Sequence, residues 1–253
     1  MALTDKLTAI ANEIRIYTGK TEKMSLEEMA SNIEAVYDEG FENGELQSTG
    51  VSWDDIQDSG NRTDYQYAFR RWNCEYIRPK HKVIPTTACS YMFAYNESLQ
   101  VLESEYFDLS EAGYNQTTTS TTNYSLCLNC SELVEFQDIG LQAGYYNATW
   151  SNCRKLKTIH KLRSNKDTRW QNAFLNCYDL EEILDIEGEI GQNGFDVSRC
   201  ENLSRATLIR ILNALTDYSS EGGTHTITFG TANQDKVAAE IESIARPKGW
   251  TVA

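Results

Sequence analysis

A seven-residue pattern returns along the middle of this chain at nearly constant spacing. Its copies are Cys127-Leu-Asn-Cys130-Ser-Glu-Leu133, Trp150-Ser-Asn-Cys153-Arg-Lys-Leu156, Phe174-Leu-Asn-Cys177-Tyr-Asp-Leu180 and Val197-Ser-Arg-Cys200-Glu-Asn-Leu203. An earlier copy, Phe93-Ala-Tyr-Asn96-Glu-Ser-Leu99, carries Asn in the Cys slot. The slot thus falls at 96, 130, 153, 177 and 200, in steps of 34, 23, 24 and 23 residues. The long first step contains the polar run 113–123, rich in Thr, which reads as a loop inserted into a regular coil. Such a period dictates that the chain coils through similar turns, because self-similarity at a fixed step is the signature of repeat architectures.

Apolar positions continue past the leucine: Leu133, Phe136 and Ile139 correspond to Leu156, Ile159 and Leu162, then to Leu180, Ile183 and Ile186. A Leu-rich register with a period in the low twenties is the leucine-rich-repeat pattern. One coil cannot bury its own apolar face, whereas stacked coils share a core. Cys in the slot then acts as a small buried hydrophobe, and an inward Asn bonds turn backbone groups that would otherwise lack partners. The pair Cys127 and Cys130 also has the spacing of a zinc half-site or redox motif. No second pair accompanies it, and the repeat accounts for both residues as core packing.

The chain carries 23 Lys and Arg against 37 Asp and Glu, a formal net charge of −14 that disfavours phosphate backbones and anionic lipid. Nucleic acid is therefore not an expected partner. No apolar run reaches the roughly 18 to 20 residues of a membrane span, so no membrane insertion is expected. The opening residues lack a basic segment followed by an apolar core, which leads to an expectation of synthesis in the cytoplasm. In that setting seven cysteines, an odd number, read as reduced thiols. The Asn-x-Ser/Thr triplets carry no implication of glycosylation, and several fall on the repeat.

The ends depart from the repeat. Leu7, Ile10, Ala11 and Ile14 share a helical face behind Thr4, and Ser25 with Glu28 forms a capping box for a second helix striped by Met29, Ile33, Val36 and Tyr37. Two short helices are marginal alone, so residues 1–45 form either a cap over the first repeat or an oligomerisation and anchoring module. Leu7, Ile10, Ile14, Met29, Ile33 and Val36 are the candidate face for it. Near the other end, Leu208, Ile211, Leu212 and Leu215 predict a helix. The run 224–229 alternates as a strand, placing His225 beside Ile227 and Phe229 as a partly buried structural His. Val237, Ile241 and Ile244 predict a second helix, followed by a short strand at 250–252.

No constellation of catalytic chemistry is visible. His81, His160 and His225 are dispersed, and neither a glycine-rich phosphate loop nor a Gly-x-Ser-x-Gly elbow occurs. No catalytic residue, cofactor or metal is expected. Tyr and Trp number fourteen and five, and such side chains favour interfaces. Tyr114, within the Thr-rich insertion, and Tyr145, Tyr146 and Trp170, between repeat anchors, are candidate ligand-facing residues; packing is the other reading of each. The insertion is either a recognition loop or a tolerated extension.

Several segments resemble a known group. The stretch Lys6-Leu-Thr-Ala-Ile-Ala-Asn-Glu-Ile-Arg15 through Thr18 to Ile33 resembles an N-terminal module of tail and other virion proteins of phages and prophages of Firmicutes. Gly60 to Phe69 is similar to a segment that follows that module, the middle resembles BspA-type leucine-rich repeats, and 223–253 is similar to the terminal cap of the same group. The fold expected is α/β: a short BspA-like leucine-rich-repeat solenoid at 86–205, an N-terminal helical module at 1–45, a connecting segment at 46–85 and a C-terminal α/β cap at 206–253. The resemblance implies a non-enzymatic virion protein of a tail, baseplate or fibre, located in the virion. It would display the repeats for host-surface binding, with other virion proteins and a host-surface protein or glycan as partners, and would form homo-oligomers, a trimer among the options. The alternative is a BspA-like module at the bacterial cell surface, unconnected to a virion. The repeats are few and interrupted, which departs from a broad concave binding surface.

Overall fold

The computed structural model describes residues 65–79, 81–86, 89–112, 124–191 and 194–253, all within one compact unit, Asp55–Ala253. The faces proposed at Leu7, Ile10, Ile14, Met29, Ile33 and Val36, and the insertion 113–123 with Tyr114, lie outside the described residues.

Because each turn of the chain ends pointing the way it began, equivalent residues of successive turns pair in parallel. β1 (Val101–Leu102), β2 (Glu135–Phe136), β3 (Thr158–Ile159) and, after β4 (Leu162–Ser164), β5 (Glu182–Ile183) are two- and three-residue strands. β1, β2, β3 and β5 form one parallel sheet in that order, in the register Leu102, Phe136, Ile159, Ile183. β4 pairs with β6 (Ile186–Gly188) in a second parallel sheet. That approach is close: a Cβ on Gly188, at φ 91°, would sit 1.9 Å from the Ser164 carbonyl oxygen.

Opposite the strands runs a ribbon of turns. Two residues per turn, five and one before the slot, hold left-handed backbone: Tyr91 and Tyr95, Ser125 and Asn129, Ala148 and Asn152, Asn172 and Asn176, with φ between 54° and 64°. This conformation costs most residues about 1–2 kcal/mol and Asn less, which explains Asn at 129, 152 and 176. The reversals aim alternate N–H groups at the next turn. Ser125, Cys127 and Asn129 donate to the carbonyls of Asn147, Thr149 and Ser151 at 2.8–2.9 Å; Ala148, Trp150 and Asn152 donate to Gln171, Ala173 and Leu175 at 2.7–3.0 Å. The Asn side chains add their own ladder, Asn176 Nδ2 to Asn152 Oδ1 and Asn152 Nδ2 to Asn129 Oδ1, both 2.7 Å.

The slot binds turn to turn from inside. The thiols of Cys130, Cys153 and Cys177 donate to the carbonyls of Phe93, Cys127 and Trp150 at 3.1, 3.1 and 3.0 Å. In each case the acceptor lies three residues before the preceding slot. Asn96 Nδ2 makes the same bond to Phe69 and a second, at 3.0 Å, to Phe93. The rule extends past both ends of the pattern read from sequence. Phe69 stands three residues before Trp72, so residues 65–79 form an earlier turn inside what reads as the connecting segment 46–85; Tyr67, Phe69 and Arg71 donate to Ser90, Met92 and Ala94. Asn233 Nδ2 donates to Val197 at 3.1 Å, three residues before Cys200, and so fills a final slot. Leu99, Leu133, Leu156, Leu180 and Leu203 line the core at 1% exposure or less.

Helix α1 (Arg205–Asn213) starts at Ser204, whose hydroxyl accepts from the Thr207 N–H. Its side chains close the sheet edge that β5 would leave open: Thr207 Oγ1 accepts from the Ile183 N–H at 3.1 Å, and Arg210 Nη1 donates to the Ile183 carbonyl. β7 (His225–Ile227) pairs in parallel with β8 (Trp250–Val252), and a broken helix, 231–245, lies between them. Lys248 Nζ donates to the carbonyls of Asn213 and Leu215 at 2.7 and 2.8 Å, satisfying the end of α1.

Candidate functional site

Of the residues read as ligand-facing, Tyr146 and Trp170 are instead core. They are 0% and 1% exposed, stack on each other at 4.8 Å between ring centroids, and the Tyr146 hydroxyl donates to the Arg163 carbonyl at 2.9 Å. Their burial has a simple cause. Both stand seven residues before a slot, as do Tyr65 and Cys89, and all four are buried. Tyr145, one residue earlier, is half-buried and carries the Arg169 guanidinium 4.7 Å over its ring, a cation–π pair.

The six buried thiols are shut off from solvent. Cys127 lies in the column of Phe93, Trp150 and Phe174, three before the slot, while Cys130 is in the slot itself; both are 0% exposed. Burial raises the Cys127, Cys153 and Cys177 thiols well above their ordinary range and Cys200 to about 12, so none is a ready thiolate. Half-buried Cys74 is pushed to about 11 by the same cause. Among the described residues no three His, Cys, Asp or Glu side chains gather as a metal site. His225 is half-buried and stacks on Tyr218 at 3.8 Å. Among the described residues no helix is long and apolar enough to cross a membrane.

What the turns present outward is charge, sorted by turn. Residues 146–169 hold seven Lys and Arg (154, 155, 157, 161, 163, 166, 169) and one acid, Asp167; residues 124–145 hold three acids and residues 170–191 six, with no Lys or Arg in either. The basic turn is thus flanked by acidic ones, and the pairs cross the gaps. Lys155 meets Glu132 at 2.5 Å, His160 Nε2 meets Glu135 at 2.7 Å, and Arg163 grips both oxygens of Asp138 at 2.7 and 2.9 Å. On the other side Lys161 reaches Asp185 and Glu187 at 3.2 and 3.0 Å. The Arg163 hydrogen bonds hold the Asp138 carboxyl below its usual value. Exposed pairs of this kind contribute about 0–1 kcal/mol each. They also bear on register, because a slip of the basic turn by one strand position turns each of these side chains to the other face and parts the pairs.

A different edge forms on the first turns. Tyr67 stacks on Tyr91 at 5.2 Å, Tyr124 lies tilted against Tyr91 at 5.4 Å, and Arg70 lies 4.9 Å from the Tyr95 ring. Beyond the fifth turn, Tyr178, Asp179, Arg199, Glu201 and Asn202 line an open depression of ~340 Å³. Periodicity singled out none of these groups. The charge sorting was available by counting charges turn by turn; the depression had no signal, because it depends on how two turns separate. No family model, curated protein or solved structure matches the chain.

Proposed function

We propose that the chain is a non-enzymatic structural protein of a phage virion, in the α/β class, whose leucine-rich-repeat-type solenoid displays an outer surface for attachment to the host. The fate of Cys127 and Cys130 carries the reading: the motif in the sequence that looks most like a reactive site is spent on two core columns. What the chain offers a partner is then the outside of its turns and its loops. The resemblance of 6–33 and 60–69 to phage modules supplies the setting. In this reading residues 1–45 attach the chain to other virion proteins and assemble copies of it, and the repeat region faces outward.

The test is composition of purified particles. Mass spectrometry of virions banded on a density gradient is expected to find the chain at a fixed ratio to tail proteins. Its absence from particles together with enrichment in a bacterial cell-wall fraction would favour a cell-surface module instead. Light scattering on the full chain is expected to give an oligomer; a monomer at micromolar concentration contradicts the assembly role of residues 1–45.

A further inference from the structure

The ladder that joins the turns fails at one junction. Trp150 and Asn152 donate to Ala173 and Leu175 one turn on, but their counterparts Phe174 and Asn176 make no backbone bond to the following turn among the described residues. The slot bond lengthens there too: the Cys200 thiol lies 3.7 Å from the Phe174 carbonyl, against 3.0–3.1 Å at the three preceding junctions. Arg199, one before its slot, lacks the left-handed backbone of its counterparts Asn129, Asn152 and Asn176. The fifth and sixth turns therefore part on this side. The ~340 Å³ depression lies at the parting, with Tyr178 and Asp179 on one bank and Arg199, Glu201 and Asn202 on the other.

Its polar groups are unspent. On the sheet face the charged side chains bond across the turns, whereas the side chains of Asp179, Arg199 and Glu201 have no ion pair or hydrogen bond among the described residues. Asn202 gives its Nδ2 to the Tyr178 carbonyl at 3.0 Å, and its Oδ1 has no hydrogen bond among the described residues. The Tyr178 hydroxyl is spent on Asn176 Oδ1 at 2.8 Å, which fixes the ring, and Tyr178 is 43% exposed with no aromatic ring against it among the described residues.

We infer that this depression is a binding site for a neutral saccharide, an inference that rests on the host-attachment reading and names a ligand class for it. A sugar presents a face of C–H groups that lies on an exposed aromatic ring, and a rim of hydroxyls that each donate and accept. The site answers both, with the Tyr178 ring for the face, the carboxylates of Asp179 and Glu201 and the Asn202 oxygen as acceptors, and the Arg199 guanidinium as donor. Two carboxylates against one guanidinium leave a charge of −1, which disfavours sugar acids and phosphates.

The experiment is saturation-transfer NMR on the full chain with the methyl glycosides of glucose, galactose and N-acetylglucosamine, and with methyl glucuronide as the anionic arm. Saturation is expected at the C–H protons of at least one neutral glycoside. Tyr178→Ala and Asp179→Asn should each weaken its binding at least about tenfold, while far-UV circular dichroism stays unchanged because neither side chain belongs to the buried core. No transfer to any neutral glycoside overturns the inference, as does undiminished transfer in Tyr178→Ala or preferred binding of the glucuronide. The companion readout separates the two proposals. If the wild-type chain and Tyr178→Ala adhere equally to host cells, the saccharide site fails and host attachment stands. If the glycoside binds at Tyr178 but the chain neither adheres to cells nor copurifies with particles, the site stands and the attachment reading fails.

Discussion

Between the fourth and fifth turns, three backbone N–H groups, an Asn–Asn side-chain bond and a thiol–carbonyl bond of 3.0 Å all cross the gap. Between the fifth and sixth turns the ribbon bonds of Phe174 and Asn176 are missing, the Asn ladder ends on the Tyr178 hydroxyl, and the thiol stands off at 3.7 Å. The apolar columns are unbroken at both: Leu180 and Leu203 are as buried as Leu156, and Phe195 packs on Trp170 and Phe174 at 4.8 and 5.3 Å. The difference teaches that two separable devices join these turns. Apolar stacking supplies cohesion and continues through the parting, while the polar ladder sets spacing and can be omitted where a cleft is formed.

Substitutions in the core should therefore cost most and be indifferent to the ladder. Trp150→Ala, which empties a site stacked on Tyr146 and Phe174 and edge-on to Phe136, is expected to destabilise by about 3–5 kcal/mol, read from the denaturant midpoint. A loss under about 1 kcal/mol would show that the aromatic column does not carry cohesion. The slot comes next and sharpens the comparison. Cys177→Ala removes a bond of normal length and Cys200→Ala a stretched one, so the first should cost more, with about 1–2 kcal/mol expected for it. Equal losses would mean that the two junctions do not differ inside.

The Asn ladder predicts a third difference. Asn152 is bonded on both sides, so Asn152→Ala should cost about 1–2 kcal/mol through lost bonds and left-handed strain. At Gly the strain part should be recovered. The smallest effect belongs to the exposed ion pairs. Asp138 titrates below its ordinary value of 3.8 because Arg163 binds the carboxylate; a depressed folded-state value contributes stability above the unfolded value and loses it as the pH falls through the folded one. Arg163→Gln should thus be less stable than wild type at pH 7, by under about 1 kcal/mol given solvent screening, and the two stability curves should converge below pH 3.8. Curves that stay parallel down to acid pH would remove Asp138 as the cause. Thiol labelling offers a qualitative check: Cys74, half-buried, should react slowly in the folded chain, and Cys89, Cys127, Cys130, Cys153, Cys177 and Cys200 only on unfolding.

The sequence made the slot legible because Cys and Asn are rare enough to be noticed at a fixed step, and Leu three residues on confirms the phase. The first turn was hidden because Trp72 fills its slot and Glu75 stands where the others have Leu. Asn233 was hidden because α1, a loop and β7 lengthen its step, and it enters the core from a helix. The burial of Tyr146 and Trp170 is masked because both stand between anchors, where the chain reads as loop. Carrying the register back seven residues, to Tyr65 and Cys89, assigns both to the core. The parting at 174–200 could not be read at all, since Val197, Cys200 and Leu203 keep the pattern while the hydrogen bonds do not.

The central claim is that polar ladder and apolar stack are separate, and amide hydrogen exchange resolved by NMR tests it most directly. The account predicts strong protection at the N–H of Cys127, Trp150 and Asn152, and early exchange at Phe174 and Asn176 in a chain that is still fully folded. Protection at Phe174 and Asn176 equal to that at Trp150 and Asn152 would contradict it.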